Sequence, residues 1–542
     1  MKMNVSDSSP TTETTKFLAK EKKALLLTSN SNHDFKQYNN DKLRFSSAPL
    51  LSLADGKKTE ENPSSTNNVR RTAIFRQSLV TCAVLLLTAG VGCPIGYSAI
   101  FLPQVYNSSE PSIQMDIDMA SWFTSIHSLA SPVGAFVSGP LMERIGRRPT
   151  MMFSVIPLTV CWCLIALSQN HYYLLIGRFL GGFSTGLMGA PCQVWLAEIA
   201  DPSIRGILIG LTLVTYSIGI LFVYFLGSFL YWRYVAWASI VIPLIASIIM
   251  YFAPESPVWL TRHGQVERAS AALNWLRASE EVGQKELQDL ITRFEKEKED
   301  TNTQNDSIWK TISKLATIKP LFIVNAFYVF QVFSGSYLVV FYAVDIIQDF
   351  GSETINSMTA AVYTALIRML FCLMYCFLVL KMHRRPLTIM STGGSGIAAG
   401  VLSIYLYTKI DQPKTQMDIF ITAMCILFYL GFNTGLLTLP GIMTGELLPA
   451  KVRSQVAGSI FCMFSLVLFG TAKVFPYMKE FLKVHGVFAI FSASSFLCAF
   501  MCYWLLPETK TMTLGEIEDY FNEKNLLWSN RPNKEKEKNC KA

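Results

Sequence analysis

The sequence predicts an all-α, multi-pass membrane protein with twelve transmembrane helices in two six-helix halves. Three observations carry that prediction. Apolar residues make up 51 % of the 542 residues and charged residues only 16 %, where a soluble chain carries roughly a quarter charged. The apolar residues fall in twelve blocks, each near the ~20 residues a helix needs to cross ~30 Å of hydrocarbon. Three charged motifs occur twice, in the same order, once in each set of six blocks. These facts exclude a soluble enzyme, a secreted disulfide scaffold and a disordered protein. A membrane β-barrel is also excluded, because its strands alternate over about ten residues.

The blocks run approximately over 77–102, 120–142, 149–168, 172–192, 207–230 and 234–253, then 320–343, 357–380, 386–408, 417–441, 455–475 and 485–506. Residues 1–72, rich in Ser, Thr, Asn, Lys and Asp, read as a cytoplasmic arm without fixed structure. It has no short apolar core at its start, so the first span is expected to serve as an uncleaved anchor. Glu21 to Leu26 has the spacing of an acidic dileucine signal, a pattern short enough to arise by chance. The N-terminal half covers 73–253 and the C-terminal half 320–506. Between them, 254–319 places Val266, Ala269, Leu273, Leu276, Leu287, Leu290, Ile291 and Phe294 near helical spacing, which predicts amphipathic helices. Residues 507–542 form a polar tail. Most of the twelve Cys lie inside apolar blocks, where Cys acts as a small hydrophobe.

Lys/Arg asymmetry orients the spans. Arg144, Arg147, Arg148, Arg205, Lys381, Arg384, Arg385, Lys451 and Arg453 share one side with both tails and the linker, so both termini are expected in the cytoplasm. The loops 103–119 and 344–356 on the other side carry no Lys or Arg, whereas Arg233, Lys409, Lys414, Lys473, Lys479 and Lys483 are exceptions. Asn107-Ser108-Ser109 is a glycosylation sequon in the first exterior loop; those at Asn4 and Asn305 fall on the cytoplasmic side. The net charge of +8 is modest and sits in short loops and tails, so no nucleic-acid partner is expected. The sequence holds no catalytic constellation, phosphate-binding glycine loop or metal-ligand cluster. Neither an enzyme nor a cofactor is expected, and one chain is expected to suffice.

The repeated motifs are specific. Arg147-Arg148-Pro149 recurs as Arg384-Arg385-Pro386. Glu198 with Arg205 recurs as Glu446 with Arg453, seven apart in both. Pro254-Glu255-Ser256 recurs as Pro507-Glu508-Thr509. A duplicated six-span unit follows. In such folds the substrate sits near the midplane between halves that rock about it.

Taken with Gly139 to Arg148, Gly177-Arg178-Phe179-Leu180-Gly181-Gly182 and Pro254 to Leu260, these motifs resemble those of the sugar porter family of the major facilitator superfamily. Ser121-Trp122, followed by Gly139-Pro140-Leu141, is similar to the insect-type facilitated trehalose transporter branch. The resemblance covers about 75–522. It implies a plasma-membrane sugar carrier, for a trehalose-like sugar or a hexose, working by alternating access. It further implies a gating network of Glu143, Arg144, Arg147, Arg148, Arg178, Glu198, Arg205, Glu255, Arg384, Arg385, Glu446 and Arg453 at or near cytoplasmic span ends.

The central site departs from the glucose carriers that the chain resembles. Gln331 is kept, but Val332 replaces a second Gln and Tyr337 stands where Asn is expected. Leu213, Gly441 and Phe464 occupy positions of Gln, Trp and Asn, and Arg368 that of an Asn in the eighth span. The remaining candidates for binding a sugar are Gln331, Tyr337, Tyr363, Arg368 and Asn433. Two readings of Arg368 stay open: a cavity-lining cation for an anionic or strongly polar group, or a structural residue that partners backbone carbonyls or an acid on another span, or that snorkels from an altered register. Carriers of an organic anion and a non-transporting nutrient sensor are the alternatives to a sugar carrier. Where proton-linked symporters of the family carry Asp, this chain has Ser98 after Gly96-Tyr97, which favours downhill transport. His127 in the second span reads as a hydrogen-bonded structural histidine or a proton carrier.

Overall fold

The computed structural model describes residues 63–106, 113–201, 204–303, 315–349, 356–410, 415–448, 453–510, 517, 520 and 521. Among these, every regular element is a helix. The dileucine pattern, most of the N-terminal arm, the three sequons, Lys451, Lys414 and the end of the tail lie outside the described residues.

The first half comprises α1 (Pro63–Tyr106), α2 (Ile117–Ile145), α3 (Arg147–Ala166), α4 (His171–Ile199), α5 (Arg205–Gly227) and α6 (Trp232–Phe252). Three linker helices follow: α7 (Pro257–Arg262), α8 (Val266–Arg277) and α9 (Glu280–Thr303). The second half comprises α10 (Leu315–Phe333), α11 (Leu338–Phe341), α12 (Ala343–Asp349), α13 (Ser357–Lys381), α14 (Arg384–Thr408), α15 (Gln416–Leu447) and α16 (Arg453–Leu505). Nine helical segments among the described residues are long and apolar enough to cross a membrane. The helices α2 and α4 match them in length but are diluted by Ser, Thr and Gly. The 53-residue α16 contains a break at Lys483, where φ is +57°, and so supplies two crossing segments.

Polar residues set several helix ends. Asp116 accepts from Met119 N at 2.9 Å to cap α2, and Thr415 with Asp418 forms a capping box on α15. The first helix begins well before its apolar block. The reason is that its polar turns dock on the linker: Arg76 donates to Trp275 O at 2.9 Å and Gln77 to Leu276 O at 3.2 Å. In the linker, Trp259, Leu260, Ala269, Leu273 and Leu287 bury together. Val266, placed on that face by spacing, is exposed.

Close backbone approach fixes the first half. A Cβ on Gly182 would overlap the carbonyl oxygen of His127, and one on Gly186 that of Ser131, so α2 and α4 touch backbone to backbone. Alongside, Phe101 stacks on Phe123 at 4.3 Å and meets Trp232 edge-on at 5.1 Å. Gly182→Leu forces these helices apart, an overpacking cost on the order of 3 kcal/mol or more. The expected outcome is a lowered unfolding temperature and loss of monodispersity in detergent; an unchanged melt would contradict the backbone contact.

Candidate transport site and its flanking networks

The seventh crossing segment is not continuous. Helix α10 stops at Phe333, and α11 resumes at Leu338. Between them Gly335 adopts φ +82°, a conformation only glycine takes without strain, and a Cβ there would overlap the Phe491 ring. The break frees carbonyls of buried residues inside the bundle, and each needs a donor. Ser334 O receives the Tyr429 hydroxyl at 2.6 Å and Asn433 Nδ2 at 3.4 Å. Ser336 O receives Arg368 Nη1 at 2.9 Å. Gln331, one turn before the break, donates to Leu437 O at 3.4 Å, while its buried Oε1 has no partner.

Four of the five sequence candidates therefore belong to one region. Arg368, Asn433 and Gln331 are buried, and Tyr337 packs on Phe464 at 5.5 Å. Tyr363 does not join them. It is 61 % exposed, in line with Leu366, Leu370, Leu373 and Phe377 along the apolar outer face of α13. Five residues from Arg368, it points some 140° away around the helix. The alternative that Arg368 pairs with an acid is not met: no described carboxylate forms an ion pair with it, and its described bond is to a backbone carbonyl. Sequence reasoning missed Tyr216, Tyr224 and Tyr429, whose phenols lie within electrostatic reach of Arg368. Tyr429 was findable, since it precedes Asn433 by one helical turn. Beside Gly441, the hydroxyl of Tyr328 approaches the space an indole would fill, 3.9 Å from where a Cβ would sit.

At the basic end, the three repeated motifs meet in space, once per half. In the first, Glu255 accepts from the backbone N of Arg147 at 3.2 Å, of Arg148 at 3.2 Å and of Ser256 at 2.8 Å. It thereby satisfies the orphan N–H groups that open α3. Burial pushes this carboxyl up, and the backbone N–H bonds and Arg147 pull it back. Arg147 Nη2 bonds Glu198 at 3.2 Å and lies 3.5 Å from Glu143, Ser256 Oγ donates to Glu198, and Arg148 reaches Tyr251 O at 2.7 Å. In the second half Glu508 caps α14 through Arg384 N at 2.9 Å and Arg385 N at 3.1 Å. Arg384 pairs with Glu446 at 3.2 Å, Thr509 donates to Glu446, and Arg385 reaches Tyr503 O at 2.7 Å. Glu508, Ser256 and Thr509 were not among the candidates, although the repeat itself marks them.

Three members expected in this network lie elsewhere. Arg178 is fully buried in the second turn of α4, near the opposite end, and donates to Phe123 O at 3.0 Å, to Ser98 Oγ at 2.6 Å and to Pro94 O. Arg205 opens α5 and turns back to Ala200 O at 3.3 Å instead of to Glu198. Arg144 is exposed. The Arg453 side chain lies outside the described residues. His127 is buried, with Thr185 Oγ1 3.5 Å from Nε2 and no described carboxylate paired to it.

The ion pairs just described each join residues of a single half. At the opposite end the halves are tied together. Lys473, in the first part of α16, bonds Asp118 at 2.5 Å and Ser121 Oγ at 2.7 Å and lies 4.4 Å above the Trp122 ring. Tyr477 donates to Asp118 at 3.0 Å, and Tyr224 to Val340 O at 2.5 Å.

A duplicated bundle with a broken span at its centre and charge clusters at its ends defines a secondary membrane transporter. The model of the Sugar (and other) transporter family matches residues 79–521, and the chain belongs to that family. A facilitated trehalose transporter Tret1-2 homolog from Drosophila sechellia is 32 % identical over 445 residues, covering 82 % of this chain and 90 % of that one. Trehalose transporter 1 of Drosophila melanogaster is also 32 % identical over 82 % of this chain, which spans 52 % of its length. The xylose transporter XylE from E. coli, in an inward open conformation, superposes with a TM-score of 0.66 at 19 % identity over 81 % of this chain and 99 % of that one. The fold is thus shared.

The Lys473 and Tyr477 hydrogen bonds hold the Asp118 carboxyl below the usual carboxylate range. A carboxyl depressed in the joined state favours joining above its ordinary value, about 3.9, and loses that preference as pH falls through the lowered one. Spin labels at Ile117 and Glu480 should therefore move apart when that face is acidified below about 4, and Lys473→Met should show the longer distance already at pH 7. Identical distances in all three conditions would mean the latch holds nothing.

Proposed function

We propose that the chain is a facilitative plasma-membrane carrier for a sugar, trehalose-like or hexose, working by alternating access with both termini in the cytoplasm. Family membership supports sugar as the solute class. The amide of Gln331, the hydroxyl of Tyr337, Asn433 and the surrounding aromatic rings are suited to replace water around a neutral polyol. The lipid bilayer is the remaining partner, and a single chain holds both halves of the site.

The observation that carries uniport is the setting of Arg178. Its partners are two carbonyls and the Ser98 hydroxyl, and no described carboxylate pairs with it. Without a described acid there, no carboxyl stands beside Arg178 to load and release a proton with the sugar. The basic end faces the cytoplasm by the charge rule. In the described state the Lys473 latch closes the exterior, and the two basic clusters stand as separate units, which fits a carrier turned inward. In the outward state those clusters would meet across the halves, making them the bistable element of the cycle.

Labelled trehalose and glucose supplied to vesicles at matched protein level should equilibrate without exceeding the outside concentration, with or without a protonophore. Accumulation that a protonophore abolishes would refute uniport. Arg147→Ala combined with Arg384→Ala should lower uptake at least tenfold at normal surface expression; undiminished uptake would remove the gating role.

A further inference from the structure

Among the described residues, Arg178 and Arg368 lie inside the bundle, and they are satisfied differently. Arg178 donates from Nε, Nη1 and Nη2 to three acceptors. Arg368 makes a single described hydrogen bond, from Nη1 to Ser336 O, and its buried Nε has no partner. It sits eleven residues into α13 and thirteen from its end, roughly 17 to 20 Å from either rim by helical rise. That is too deep for the side chain to reach water by snorkelling. It is 5 % exposed. Tyr216 and Tyr224 of α5, Tyr337 of the break, Tyr429 of α15 and Cys372 of its own helix lie within its electrostatic reach.

A fixed positive charge at this depth is unfavourable unless an anion, or a full set of acceptors such as Arg178 has, offsets it, and Arg368 has one described acceptor. No described residue provides that anion. The side of the guanidinium that carries Nε and Nη2 makes no described hydrogen bond, and two parallel N–H donors on that edge match the two oxygens of a carboxylate. These neighbours come from both halves, α5 on one side and the break, α13 and α15 on the other, as expected for a site that must be read in both states.

We propose that the free Nε/Nη2 edge of Arg368 binds the carboxylate of an acidic sugar of the hexuronate class. This rests on the sugar-carrier reading and narrows its substrate. The carboxylate replaces the missing counter-charge. The ring hydroxyls of the same molecule then have the free Gln331 Oε1, with the nearby phenols, to bond to. A neutral hexose leaves the guanidinium edge without an ionic partner and binds more weakly.

The test uses the full chain in proteoliposomes with labelled glucuronate and glucose, and with glucuronamide as the uncharged isostere. Glucuronate should compete with glucose uptake at least tenfold better than glucuronamide does. Arg368→Gln should lower the glucuronate-to-glucose uptake ratio at least tenfold, and Arg368→Lys, which keeps the charge and loses the fork, should fall between. Glucose transport with equal competition by glucuronate and glucuronamide would overturn the proposal while leaving the sugar-carrier reading intact. A chain of verified fold that moves neither sugar would overturn both. Thermal stabilisation by acetate or chloride equal to that by glucuronate would reduce the site to one for small anions and also overturn it. The isostere comparison in the unmodified chain decides the matter even where Arg368→Gln fails to fold.

Discussion

A chain that unwinds inside a membrane must supply its own donors. At Ser334 to Tyr337 the seventh crossing segment leaves the helical path through Gly335, and the freed carbonyls of buried residues must find donors within the protein. The rest of the central region is arranged around that constraint. Tyr429, Asn433 and Arg368 come from two other helices to meet those oxygens. In the site proposed above the same groups form the polar lining. On that reading structural satisfaction and recognition draw on one set of atoms, and Arg368 is the member with donors left over.

The ends of the bundle follow a different rule. Each half carries a helix that begins with Arg-Arg-Pro and whose first N–H groups point at a carboxylate from the far end of that half. Glu255 and Glu508 play that part, with Glu198 and Glu446 bound both to an arginine and to a neighbouring hydroxyl. These are charge-assisted hydrogen bonds with fixed geometry, which is why they rank above ordinary surface ion pairs. The tie between halves instead centres on Lys473, held by Asp118, Ser121 and an indole face, with Tyr477 and Tyr224 adding a hydrogen bond each.

Much of this was legible in residue order. The apolar blocks gave the crossing segments, and the repeat marked the residues of the basic clusters, because both signals are local in sequence. What failed was long-range or directional. Arg178 belongs to a motif usually read together with the basic loops, yet α4 starts at His171, so the residue lies two turns from the other end. Arg205 and Glu198 are seven apart, but a helix end and a helix start lie between them, so spacing did not mean contact. Tyr363 is polar and in the right helix, and only the face it occupies excludes it. The phenols around Arg368 come from three separate elements, and no pattern in any one of them announces the gathering.

The carboxylate caps carry a consequence for how such a chain could arise. Because Glu255 closes α3 and Glu508 closes α14, neither half borrows from the other to finish these two helix starts. An ancestral six-helix unit would already have had its ends chemically complete before any fusion. On that account the surfaces between the copies are the part left free to differ, down to Arg368 on one side and Leu213 on the other, without unpicking the framework of either.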